Sequence, residues 1–208
     1  MIDYLRDPAA IYKRSFEIIR AETDFSKLPE NAEAIATRIV HSCGMTEIVE
    51  DLVITETFAP AAITALAEGK SIFVDAEMVR HGIIARQLPK NVEIICTLND
   101  PRAREFGIAN STTRSAAALE LWKEKLEGAI VVIGNAPTAL FKLLEMIDAG
   151  APKPACIVGF PVGFVGAAES KAELIADPRG ISFATIRGRK GGSAMASSVI
   201  NALTRDMQ

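Results

Sequence analysis

From residue 71 onward the chain carries five short apolar runs, "SIFVDA", "VEIICTL", "AIVVIG", "ACIVGF" and "ISFATIRG", each followed by a helix-like segment. None shows the strict apolar–polar alternation of a strand with one wet face. Continuous β-branched runs separated by helices indicate strands buried on both sides, which build a parallel sheet covered on each face. Five βα units are too few for an eight-stranded barrel. The expected fold is therefore α/β: a flavodoxin-like, doubly wound, five-stranded parallel sheet with helices on both faces. Right-handed crossovers then gather the carboxyl ends of the strands along one edge, where ligands of such sheets bind.

The first seventy residues follow a different grammar. "PAAIYKRSFEIIRAE" opens on a proline suited to a first helical turn and places Ile11, Ser15, Ile18 and Ile19 at helical spacing. "PENAEAIATRIVHSCG" puts Ile35, Ile39 and Ser42 on one side and stops at Gly44, and "APAAITALAEG" also ends on glycine. With no repeat, low-complexity tract or linker in sight, residues 1–208 are expected to form one domain with a helical N-terminal extension over about 1–69.

Composition excludes several function classes. A formal charge of -3 leaves no broad basic face for nucleic acid. The longest apolar candidate, "ACIVGFPVGFVGAA", is broken by Pro161 and three glycines, so a membrane span is not expected. "MIDYLRDP" lacks the pattern of an export leader, which makes the cytoplasm the expected address. Cys43, Cys96 and Cys156 are odd in number and far apart, and read as reduced, mostly buried thiols rather than disulfide or zinc partners. Two histidines without a carboxylate-rich helical motif suggest no metal site. The GxGxxG, GxxxxGK[ST] and GxSxG patterns are absent, which disfavours nicotinamide, ATP and serine hydrolysis.

The strand ends carry what remains. After the third run, "GNAPTALFKLLE" offers Gly134, Asn135 and Pro137 at a helix N-terminus whose amides are expected to face outward. After the fifth, Arg187, Arg189 and Lys190 precede Gly191, Gly192 and Ser193, so cations, backbone donors and a positive dipole end converge on an anion site. The second run ends in Thr97, and Arg114 opens a helix downstream. Any one of these loops reads as turn chemistry. Their repetition along one sheet edge fits one broad, polyanionic, partly apolar ligand.

"RIVHSCG" adds a proton donor. His41 lies three residues after Arg38 on the same helix face, and imidazole is the side chain best matched to proton transfer near neutrality. An unperturbed imidazole is roughly a quarter protonated at pH 7. Arg38 lowers that fraction, and carboxylates on a bound substrate raise it, so substrate binding charges the acid. His81 falls late in its helix and is less well placed, although Asp75 and Glu77 near the first strand end could meet the ligand.

Together "YKRSFEIIRAE", "RIVHSCG", "DAEMVRHG", "NSTTRSAAALELW", "GNAPTALFKLLEM", "GAPKPACIVGFPVGFVGAAESK" and "RGRKGGSAM" resemble the precorrin-8X methylmutase family of corrin-ring biosynthesis, from about Tyr4 to Ala202. The resemblance implies a homodimer, no cofactor, and conversion of the tetrapyrrole precorrin-8X to hydrogenobyrinate. That conversion is a [1,5]-sigmatropic shift of a methyl group between adjacent carbons of pyrrole ring C. It assigns proton donation to His41 and substrate contacts to Ser15 and Arg38; the strand-end reading adds Arg14, Thr97, Arg114, Asn135 and Arg187 as carboxylate or ring contacts. Cobalt-containing precorrin-8 is the alternative substrate. A tetrapyrrole carrier would use the same cations without needing His41, and a flavin-binding electron carrier would need a hydroxyl-rich loop where this chain has the acidic "VDAEMV".

Overall fold

Asp7 and Pro8 start the first helix for local reasons. The Asp7 carboxylate accepts the Ala10 amide at 2.6 Å, and proline has no amide to leave unpaired. The resulting α1 (Pro8–Glu22) opens a computed structural model that describes residues 2–204. Its inward residues are Phe16 and Ile19, while Ile11 and Ile18 are exposed, so the buried stripe is not the aliphatic one expected from spacing. The reason is aromatic packing: Tyr12 and Phe16 stack on each other at 4.4 Å and lie against the next helix, where a ring covers more surface than isoleucine. That helix, α2 (Glu33–Cys43), buries Ile35, Ile39 and Val40. It stops where expected, at Gly44 in the left-handed region (φ 71°), with the Gly44 amide on the Val40 carbonyl.

The extension is not wholly helical, and among the described residues the sheet has six strands rather than five. Between α2 and α3 (Phe58–Ala67) the segment Leu52–Ile54 forms β1. It runs antiparallel to the last strand, Leu52 opposite Ile186 and Ile54 opposite Ala184. Three residues are too few for periodicity to distinguish strand from helix, and only the exposed edge of a distant strand makes this one extended.

The five expected strands are present as β2 (Ile72–Val74), β3 (Ile94–Ile95), β4 (Ile130–Ile133), β5 (Cys156–Gly159) and β6 (Ser182–Ile186). The sheet order is β1-β6-β5-β4-β2-β3, and every pairing except β1 with β6 is parallel. Successive residues therefore face opposite layers. Ile72, Val74, Ile130, Val132 and Val158 join one core with α2, α3, α4 (Glu77–Gly82) and α9 (Ser193–Leu203). Phe73, Val131, Ile133 and Ile157 join the other with α7 (Pro137–Asp148), Leu174 of α8 (Ala167–Ala176) and the 3₁₀ turn Leu119–Lys125. Two further helices, α5 (Pro101–Ala109) and α6 (Arg114–Ala118), follow β3. Because all five main strands point the same way, the residues after β3, β2, β4, β5 and β6 share one edge.

Candidate active site

At the centre of that edge the chain occupies its own anion site. Asp75, directly after β2, is 2% exposed, and its carboxylate accepts the amides of Gly134, Asn135 and Ala136 at 2.8, 3.0 and 2.7 Å. The helix N-terminus expected to face outward is thus satisfied from within, and Asp75 is unavailable to a ligand. Burial pushes the Asp75 carboxyl up, and the three amides pull against that shift. Asn135 remains exposed at the strand end, its side chain carried on this fixed turn.

The turn after β6 is equally built. The Arg187 amide bonds to the Asp51 carbonyl at 2.9 Å, and the Gly192 amide to the Phe160 carbonyl at 2.8 Å. Gly191 sits at φ 157°, and a Cβ there would lie 2.5 Å from the Phe160 carbonyl oxygen and 2.6 Å from that of Pro161. Only glycine lets these two loops meet. Arg187, Arg189 and Lys190 all point into solvent. Among the described residues neither Arg187 nor Arg189 has a carboxylate within 4.0 Å, and the Arg189 guanidinium lies over the Phe164 ring at 5.4 Å.

His41 and Arg38 come together as expected. Both line a cavity of about 340 Å³ between α2, α4 and α9, with Met78, Ser193, Ser197 and Asn201 among the other walls. The imidazole is exposed, with the Tyr12 and Phe16 rings 5.9 and 5.1 Å away. The cavity runs from it to Ser193, the residue after the glycine turn. Partial burial first, and the Arg38 guanidinium second, hold His41 below its ordinary value. The Arg38 guanidinium itself lies against the stacked Tyr12–Phe16 pair, 5.7 and 5.9 Å from the two ring centres. Its buried Nε has no hydrogen-bond partner among the described residues. Removing Arg38 should therefore move the falling limb of the kcat/KM profile to higher pH, because a like charge beside the acid is gone. The same Arg38→Ala variant should raise KM about 10-fold or more, the value of a hydrogen bond to a charged group; pH-dependent kinetics check both.

The remaining expected contacts are spread more widely. Ser15 is half-buried on α1 and donates to the Ile11 carbonyl at 2.9 Å, and Arg14 is exposed beside Glu17 at 3.7 Å. Thr97 donates to the Ala118 carbonyl at 2.9 Å and accepts the Trp122 indole N–H at 2.8 Å, so its only hydrogen is already used. Arg114 lines a separate cavity of about 420 Å³ with Arg104, Ser111 and Thr112. Sequence reasoning missed the α9 wall, although Ser193, Ser197, Ser198 and Asn201 recur at helical spacing as a polar stripe on an otherwise apolar helix.

An open, mostly parallel sheet with helices on both faces, and a cavity lined by His41 and Arg38, is the plan of an α/β protein that binds a ligand at its strand-end edge. Comparison with known proteins makes this particular: the chain belongs to the precorrin-8X methylmutase family, whose sequence model matches residues 10–206. Precorrin-8X methylmutase of Pseudomonas aeruginosa is 53% identical over 208 residues, covering all of both chains. That of a Sinorhizobium species is 54% identical over 203 residues, 98% of this chain and 97% of the other. Relatives named cobalt-precorrin-8 methylmutase match at 30–39% identity. The solved structure of precorrin-8X methylmutase from Thermus thermophilus superimposes with a TM-score of 0.85 at 33% identity, covering 95% of each chain.

Proposed function

We propose that this chain is an isomerase of cobalamin biosynthesis that converts precorrin-8X to hydrogenobyrinate, with His41 as general acid. The observation that carries the reading is the shared cavity of His41 and Arg38, which reaches Ser193 at the end of the glycine turn that follows Arg187 and Arg189. Its volume is near the small end of ligand pockets, so it takes one side of the macrocycle, and the rest extends over the strand ends toward Asn135 and Arg187. Ser15, Arg14 and Arg114 complete the set of ring and carboxylate contacts inferred from the sequence. Thr97, its hydroxyl hydrogen committed to the Ala118 carbonyl, meets the macrocycle only as an acceptor or through its methyl group. The β3-β2-β4-β5-β6 order supports a flavodoxin-like sheet with β1 added at its edge, in a single domain. Exposed Ile11 and Ile18 on α1, on the helix that flanks His41, support a homodimer, and the cytoplasm is the address this reading carries.

The chemistry follows from proton balance. An isomerisation conserves atoms, so a proton lent by His41 to a ring nitrogen returns to it before product leaves. While it is on the ring, the conjugated system is polarised and the methyl group migrates more easily to the adjacent carbon. The cleft contributes by holding the macrocycle in the shape that aligns the methyl with its new position. In the free protein His41 is mostly neutral near pH 7, because its value is lowered. Substrate carboxylates entering beside it reverse that shift and charge the acid where it is needed.

Identity favours the metal-free substrate, since the relatives named for it share 53% and 54% of residues. Incubation with metal-free precorrin-8X, and separately with its cobalt complex, tests both points. Faster conversion of the metal-free compound, with a corrin spectrum and unchanged mass, is the expected result. Conversion of neither would refute the assignment.

A further inference from the structure

Among the described residues Lys171 is the only lysine or arginine that is fully buried. It sits one turn into α8, and its ammonium donates to the backbone carbonyl of Lys190 in the turn after β6. Burial pushes that ammonium down to about 8, with Asp51 pulling the other way. Asp51 also accepts the Arg187 amide on its carbonyl, and its carboxylate lies 4.0 Å from the Lys190 ammonium. Segment 187–190 is therefore tied at its start by Asp51 and at its end by Lys171, while the Gly163 amide meets the Arg189 carbonyl between them at 3.3 Å.

A methionine of similar volume would fill the same space without the desolvation cost of a charge, so a buried lysine is a poor way to stabilise a fold. What Lys171 does supply is a donor aimed at one carbonyl of the turn that carries two unpaired guanidinium groups. We infer that Lys171 is a positioning residue for substrate binding, fixing the turn after β6 so that Arg187 and Arg189 face the carboxylates of the macrocycle. The identity of that anion rests on the methylmutase reading; the clamp itself does not.

Lys171→Met tests both parts. At pH 7 its melting temperature should be unchanged or higher, because a buried charge has been removed. Amide hydrogen exchange over residues 187–193 of the unliganded protein should nevertheless be faster than in the wild type. With metal-free precorrin-8X, KM should rise about tenfold while kcat stays within about threefold. Adding Arg187→Ala should then cost less than it costs the wild type, since the two changes damage one feature. A lowered melting temperature or a failure to fold would make Lys171 a stability residue and overturn the proposal, as would unchanged exchange and KM, or fully multiplicative effects. Faster exchange in a protein whose wild type leaves precorrin-8X unchanged would keep the clamp and remove the methylmutase reading.

Discussion

Replacing Asp75 by alanine should lower the melting temperature by roughly 10 °C, the largest stability loss we expect from a single polar side chain here. Three amides at the start of α7 donate to this one carboxylate, and those of the buried Gly134 and Ala136 have no other route to water, because Asp75 is 2% exposed. Hydrogen bonds to charged groups contribute about 1.5–3 kcal/mol each, and buried donors left unpaired cost a similar amount. Because the three bonds share one acceptor group they do not add fully, and about 3–5 kcal/mol is the expected total. Asp75→Asn should fall between wild type and alanine. Its amide oxygen can replace the Oδ2 that serves Asn135 and Ala136, but its NH₂ then faces the Gly134 amide, donor against donor. Thermal unfolding followed by circular dichroism ranks the three proteins. Equal melting temperatures would mean that the clamp is not what holds β2 to the α7 turn.

That clamp also shows where sequence reading stopped. The five parallel strands were legible because each is a continuous apolar run with a turn at its end, and a run buried on both faces has few other fates. Gly44 and Pro8 were legible because helix termination and initiation are local. Leu52–Ile54 was not, since its extended state depends on an edge over a hundred residues away. Asp75 was visible as an acidic residue at a strand end, but the same position suits either a ligand contact or an internal anchor, and only the distance to the amides after β4 distinguishes them. The nearness of His41 and Arg38 followed from helical spacing; that Tyr12 and Phe16 of α1 would wall them in did not, because the aliphatic residues of that helix looked like its inner face. Lowering of the imidazole by Arg38 was foreseeable, whereas the larger contribution, partial burial, needed the packed structure.

His41→Ala is expected to abolish most turnover, by about 10²–10⁴-fold, the usual contribution of a positioned general acid. Binding should survive, because the cations proposed to receive the substrate's carboxylates are other residues: Arg38 one turn earlier on α2, Arg187 and Arg189 beyond β6. The residue is exposed, and although its ring rests 5.1 Å from that of Phe16, its loss leaves the buried Ile35, Ile39 and Val40 of α2 in place. A carrier that bound the same macrocycle without changing it would be indifferent to this substitution. The deciding measurement is the absorption spectrum of His41→Ala mixed with a stoichiometric amount of precorrin-8X. Proton transfer from His41 predicts a bound-substrate spectrum that persists far longer than in the wild type, with the corrin product scarcely forming. Product at the wild-type rate would contradict it and assign the proton to another group.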